Sequence, residues 1–201
     1  MITLENIAFS YGEKTVFQDF SLTVPSGELV SVTGASGCGK STLLNLIAGL
    51  RKPTAGTLTV DEHLPVYVFQ EPRLFPWLTV RENVKAVLPK DAPDDIVNDA
   101  LDLVGLTADA DTLPSELSGG MRSRASLARA VAYGAASGST LYLLDEPFSA
   151  LDEALRASLC DALKERFRES NATALLVTHD IEEAERFGDR VIKIGDRIIK
   201  I

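Results

Sequence analysis

Residues 34–41 read Gly34-Ala35-Ser36-Gly37-Cys38-Gly39-Lys40-Ser41, and this octet restricts the fold more than any other stretch of the chain. The run before it, Leu29-Val30-Ser31-Val32-Thr33, is apolar and β-branched and predicts a buried strand. The run after it, Ser41 to Gly49, predicts a helix that Gly49 can terminate. Strand, glycine turn and helix in that order match the pattern G-x-x-x-x-G-K-[ST]. Its glycines let backbone N–H groups converge on phosphate oxygens, and the helix dipole adds to the attraction. A plain glycine turn before a helix is the alternative, and the flanks favour a nucleoside triphosphate site. In such a site Lys40 reaches the β- and γ-phosphates and the Ser41 hydroxyl ligates Mg²⁺.

A second apolar run, Leu141-Tyr142-Leu143-Leu144, ends in Asp145-Glu146-Pro147. Alone it is a buried strand with an acidic turn. Beside the glycine loop it gains chemistry: Asp145 at the strand end can hold the metal, and Glu146 can polarise a water that attacks the γ-phosphate.

The chain has 201 residues, 45% of them hydrophobic, which suits one domain with a sizeable core. Its apolar runs are only a few residues long, too short for a transmembrane helix, and its first residues do not resemble a signal peptide. Two cysteines, Cys38 and Cys160, make no disulfide framework, and a reducing cytoplasm is expected. The net charge of −9 argues against a nucleic-acid binder.

Alternation predicts strands over 2–9 and 16–24, with Tyr11-Gly12 in the turn between them, and further short strands over 57–60 and 66–70. From 72 to 134 Leu and Ala fall at helical spacing and prolines punctuate the chain, so an inserted helical region is expected there. Strands return at 141–145 and 173–178. Between them Leu155, Leu159, Leu163 and Phe167 share one helix face. The tail Val191–Ile199 predicts a hairpin turning at Gly195-Asp196.

Leu117-Ser118-Gly119-Gly120-Met121 adds a further motif, which by itself is a helix start with Ser118 as cap. With these motifs in this order, nearly the whole chain resembles the ATP-binding subunit of an ABC transporter. The resemblance implies an α/β fold: a P-loop NTPase core with a mixed sheet, N-terminal antiparallel strands and an inserted helical subdomain. One ATPase domain would span 1–201, with its core at about 1–71 and 135–201. It implies an ATPase using ATP and Mg²⁺, with catalytic residues Glu146, His179, Gln70 and Lys40. Nucleotide contacts would come from Gly34, Ala35, Ser36, Gly37, Cys38, Gly39, Lys40, Ser41 and Thr42, with Tyr11 stacking on adenine. Ser118, Gly119 and Gly120 would bind the γ-phosphate held by a second copy. Metal contacts would be Ser41, Gln70 and Asp145. His179 would sense the γ-phosphate, and Ser149-Ala150-Leu151-Asp152 would meet the opposing protomer.

The segment Phe69-Gln70-Glu71-Pro72-Arg73-Leu74-Phe75-Pro76-Trp77 is similar to the subgroup serving importers of nitrate, sulfonates or taurine. The resemblance implies two copies sandwiching ATP on the cytoplasmic face of the membrane, peripheral to it. An integral permease would dock near Leu74, Phe75 and Trp77, and no nucleic-acid partner is expected. Ser123 departs from the family, which usually has Gln there. Two alternatives stay open at this point: a soluble ABC-type ATPase serving a non-transport partner, and a small-molecule kinase sharing the loop.

Overall fold

The computed structural model describes residues 1–61 and 65–195. Parallel and antiparallel pairing separate into two sheets. β1 (Ile2–Tyr11), β2 (Lys14–Val24) and β4 (Ala55–Val60) form an antiparallel sheet in the order β2-β1-β4. β3 (Leu29–Gly34), β5 (Val66–Val68), β6 (Leu141–Asp145), β7 (Thr173–Val177) and β8 (Arg190–Ile194) form a parallel sheet in the order β5-β6-β7-β3-β8. β7 and β8 flank β3, pairing Val32 with Val177 on one side and with Ile192 on the other.

The parallel strands are apolar at successive positions because both faces are covered. Along β6, Tyr142 and Leu144 face a cluster that includes Leu159, Leu163 and Phe167 of α5 (Glu153–Glu169). Leu141 and Leu143 face the opposite cluster, with Leu43, Leu44 and Leu46 of α1 (Lys40–Ile47) and Phe17 and Phe20 of β2. The residues at i, i+4 and i+8 on α5 are all buried, each contributing about 1.5–3 kcal/mol; Leu155, the fourth member of the expected stripe, is only partly buried.

The expected helical region contains α2 (Val80–Lys85), α3 (Asp94–Leu103) and α4 (Gly119–Ser137), with a single 3₁₀ turn at Thr107–Asp109. Local chemistry sets the helix starts: Thr79 and Glu82 form a reciprocal capping box on α2, Ser118 caps α4, and Asp152 caps α5. After β7 comes α6 (Ile181–Phe187), capped by Asp180. No helix among the described residues is long and apolar enough to cross a membrane.

Four expectations change. Tyr11, expected in the turn, is the last residue of β1 and pairs with Lys14. The strand expected over 66–70 stops at Val68, leaving Phe69 and Gln70 in the following loop. Leu74 is not an exposed surface residue but packs, half-buried, on the core beside the helices. In the expected C-terminal hairpin, the first strand is β8, whose partner is β3 in parallel; the turn at Asp196 and the returning strand lie outside the described residues.

Candidate functional site

All four parallel strands that precede a predicted site residue deliver it at their C-terminal ends, the edge where open parallel sheets bind ligands. β3 leads into the glycine loop, β5 into Gln70, β6 into Asp145 and Glu146, and β7 into His179.

The loop from Gly34 to Gly39 ends on α1. Gly39 is the N-cap, with φ +109. A Cβ there would lie 2.6 Å from a Val16 methyl and 3.1 Å from the Phe17 ring, so only glycine fits this turn. α1 lacks the side-chain cap that α2, α4, α5 and α6 carry, and its first turn holds no acidic residue. The N–H groups of Lys40, Ser41 and Thr42 thus have no intrahelical or capping acceptor. Lys40 is buried, and its Nζ donates to the carbonyls of Gly34 and Ala35 at 2.8 and 3.1 Å. Two of its three donors are used there. Gly37 has φ +78, and a Cβ on it would meet nothing within 4 Å, so its backbone is open to an approaching group. An uncapped helix start, a buried cation and an open glycine backbone fit a polyphosphate.

Ser41 Oγ donates to Asp145 Oδ1 at 3.0 Å. The Tyr67 hydroxyl lies 3.5 Å from Asp145 Oδ2 and 3.4 Å from Asn45 Oδ1. Burial raises the Asp145 carboxyl above the usual range; the Ser41 and Tyr67 hydroxyls and the Lys40 charge act the other way, and the neighbouring Glu146 adds to the rise. Among the described residues no cluster of three or more His, Cys, Asp or Glu side chains could cage a metal. A hydroxyl beside one carboxylate instead fits Mg²⁺, which binds through one or two protein oxygens, phosphates and waters.

Glu146 follows with φ +47, a left-handed conformation unusual for glutamate. Its N–H donates to Val177 O at 2.9 Å, fixing the turn to the neighbouring strand. Glu146 Oε2 accepts from Gln70 Nε2 at 3.3 Å and lies 3.3 Å from His179 Nδ1. The Glu146 side chain is 18% exposed and that of His179 65%, so the carboxylate is sheltered while the histidine reaches outward. Gln70, Glu146 and His179, expected separately, form one cluster. Tyr11 ends β1 as an exposed ring, edge-on to Phe9 at 4.9 Å and facing the Arg51 guanidinium at 5.8 Å.

The Ser118-Gly119-Gly120 segment is elsewhere. It starts α4, where Ser118 Oγ accepts from Met121 N at 3.2 Å. A Cβ on Gly120 would sit 2.9 Å from Ala150 O, so this helix start packs against the segment after Glu146. Among the described residues no hydrogen bond or ion pair joins Ser118–Gly120 to the glycine loop, Gln70, Asp145, Glu146 or His179.

Sequence reasoning missed three supports. Arg129 on α4 donates to Arg73 O and Pro72 O, both at 3.0 Å, and so anchors the loop after Gln70. Asn83 is fully buried; its amide donates to Phe75, Leu78 and Thr79 carbonyls and its Oδ1 accepts from Phe75 N at 2.7 Å. That shapes the loop on which Phe75 (39% exposed) and Trp77 (71% exposed) pair at 5.8 Å. Glu183 lies buried behind His179. Polar residues on otherwise apolar helix faces were the available signal for Asn83 and Glu183.

Comparison with known proteins matches residues 17–149 to a family described as ABC transporter. The chain is 46% identical over 190 residues to the aliphatic sulfonates import ATP-binding protein SsuB 1 of Pseudomonas savastanoi, covering 94% of this chain and 78% of that protein. It is 41% identical over 212 residues to the bicarbonate transport ATP-binding protein CmpC of Synechococcus elongatus, covering 96% of this chain but 31% of that protein. Among solved structures it is similar to a dimeric bacterial ABC transporter cassette, MJ0796, with a TM-score of 0.89 and 32% identity over 100% of this chain and 97% of that one. The same cassette in a post-hydrolysis state, bound to ADP and Pi, gives a TM-score of 0.87 at 31% identity.

Proposed function

Because the chain belongs to the ABC transporter family, we propose that it is the ATP-hydrolysing subunit of an importer, and that it drives a membrane permease from the cytoplasmic side. The observation that carries this reading is the convergence of an uncapped phosphate-type loop, Asp145, Glu146, Gln70 and His179 on one sheet edge.

In this reading ATP binds with its β- and γ-phosphates against the first-turn N–H groups of α1 and Lys40, whose charge offsets the negative charge of the transferred phosphoryl. Tyr11 offers its exposed ring to the adenine. Ser41 and Asp145 would hold Mg²⁺, with Gln70 beside them, and the ion when bound supplies charge neutralisation at the phosphates. Glu146 takes the proton of the attacking water. Gln70 and His179, both at 3.3 Å from Glu146 Oε2, hold that carboxylate in place, and His179 reports on the γ-phosphate.

Ser118–Gly120, with no bond to the loop of their own chain, are offered to the ATP of a second copy, and the likeness to a dimeric cassette supports that pairing. The Phe75–Trp77 pair, rather than Leu74, is the proposed permease contact because these two are the exposed large apolar side chains of that segment. The relatives named for sulfonates and bicarbonate support a small anion as cargo. The net charge of −9 supports a partner other than nucleic acid.

Glu146→Gln tests this function. The amide is nearly isosteric but cannot accept the proton, so the variant should bind ATP, lose hydrolysis and elute as an ATP-dependent dimer in size-exclusion chromatography. Normal turnover would reject Glu146 as the base; an inactive variant that never dimerises would reject the sandwich.

A further inference from the structure

Behind the site, α6 carries a carboxyl that none of this chemistry uses. Glu183 is 5% exposed, and its Oε1 has no hydrogen-bond partner in the protein. Its backbone N–H donates to Asp180 Oδ1 at 3.1 Å, and the Thr178 hydroxyl bonds its carboxyl. A cavity of about 30 Å³ is lined by Glu183 together with Glu146, His179, Asp180, Thr178 and Arg156. Buried polar atoms normally find partners, so an orphaned carboxyl oxygen at this position calls for an explanation.

Arg156 of α5 supplies one. Its Nη1 donates to Asp180 Oδ2 and its Nη2 to Leu151 O at 3.1 Å, while its Nε is buried without a partner. One guanidinium therefore ties the turn carrying His179 and Asp180 to the segment after Glu146. Other groups near Glu183 do not compete for that guanidinium. On α5 the Cys160 thiol is pushed up to about 12 by burial and stays neutral, Asp161 is paired with Arg186 at 2.7 Å, and Lys164 donates to Arg186 O. β3 carries no ionisable side chain, and at the start of β8 Arg190 is held by Glu28. His179 and Glu146 complete the set.

We propose that Glu183 is a positioning residue for hydrolysis: in its neutral form it leaves Arg156 bound to Asp180 and Leu151 O, which seats His179 against Glu146, and in its ionised form it becomes a second carboxylate competing for the same guanidinium and loosens that seat. Burial pushes this carboxyl up to about 7, assisted by Asp180 and opposed by Thr178, Arg156 and His179, so both forms are populated near neutral pH. The proposal rests on Glu146 and His179 acting in hydrolysis.

The test compares ATP turnover from pH 6 to 8.5 for the wild type and Glu183→Gln, whose amide is permanently neutral. The two should match at pH 6. Their ratio should climb in favour of Glu183→Gln through pH 7, on the order of 30-fold by pH 8.5 if the neutral form alone turns over. Parallel profiles would overturn the proposal. If the variant fails to fold, carboxyl ¹³C resonances of the wild type decide: a glutamate titrating near 7 is expected, and its absence overturns the proposal. Normal turnover by Glu146→Gln would instead remove the underlying reading, whereas an inactive Glu146→Gln with parallel pH profiles rejects Glu183 alone.

Discussion

Arg129→Ala should uncouple the loop after Gln70 from α4. The wild-type guanidinium holds the carbonyls of Pro72 and Arg73, each at 3.0 Å. Arg73 is itself strained, with φ +46, and its own guanidinium lies 4.0 Å from the Phe69 ring centre. A hydrogen bond from a charged donor contributes about 1.5–3 kcal/mol net. Arg129 is half-buried, so two such bonds, discounted for solvent, sum to about 3 kcal/mol. Relaxation of Arg73 out of the left-handed region returns about 1 kcal/mol. The net loss is about 2 kcal/mol, a shift of under about 1 M in the urea midpoint for a chain of this size. Chemistry should suffer more than folding. Gln70 lies between Phe69 and the two anchored carbonyls, and a 1 Å displacement of its amide from Glu146 should lower turnover by about 100-fold while ATP affinity stays within about threefold. Arg129→Lys, which cannot fork onto both carbonyls, should fall between. Urea melts beside single-turnover hydrolysis check both halves. An Arg129→Ala protein of wild-type stability would refute the energetics, and a destabilised protein with wild-type turnover would refute the link to Gln70.

Lys40→Ala should lower hydrolysis by at least about 100-fold, since one cation at the developing charge is worth that much; retained turnover in a phosphate-release assay would contradict the role of the loop. Trp77→Ala should leave the melting temperature within about 2 °C, because the ring is 71% exposed. It should nevertheless weaken co-purification with the permease, since covering about 180 Å² of that ring contributes about 4.5 kcal/mol before the cost of association; an unchanged complex with a lowered melting temperature would reject docking there. Stability should also fall as pH rises from 4.5 to about 7, because over that window folded Glu183 retains a proton that the unfolded chain has released. The difference amounts to about 3 kcal/mol at 1.36 kcal/mol per unit. Urea melts at pH 5 and pH 8 should show this loss in the wild type and not in Glu183→Gln.

The glycine loop, the Asp145–Glu146 pair and the cap at Ser118 were legible because each depends on neighbours in sequence: a turn, a strand end, a helix start. What escaped depends on residues far apart. The insertion of β3 between β7 and β8 brings residue 30 beside residues 175 and 190, and no periodicity in one segment announces that partner. Arg129 reaches its carbonyls across 56 and 57 positions. Leu74 looked like Phe75 and Trp77, yet only the packed helices decide which of three neighbouring apolar side chains turns inward.

The separation of Ser118–Gly120 from the glycine loop of their own chain bears on inheritance. If each nucleotide needs the loop of one chain and the α4 start of another, a defective copy can disable a healthy one. With equal expression of wild-type chains and chains altered at Lys40, only about one quarter of randomly formed pairs would carry two intact loops. A chain altered at Ser118 would spoil the site held by its neighbour's loop rather than its own. Co-expressing the two different defects would then leave the mixed pair with one fully intact site and one doubly broken site, so partial rescue between two inactive alleles would measure whether one working site suffices for transport.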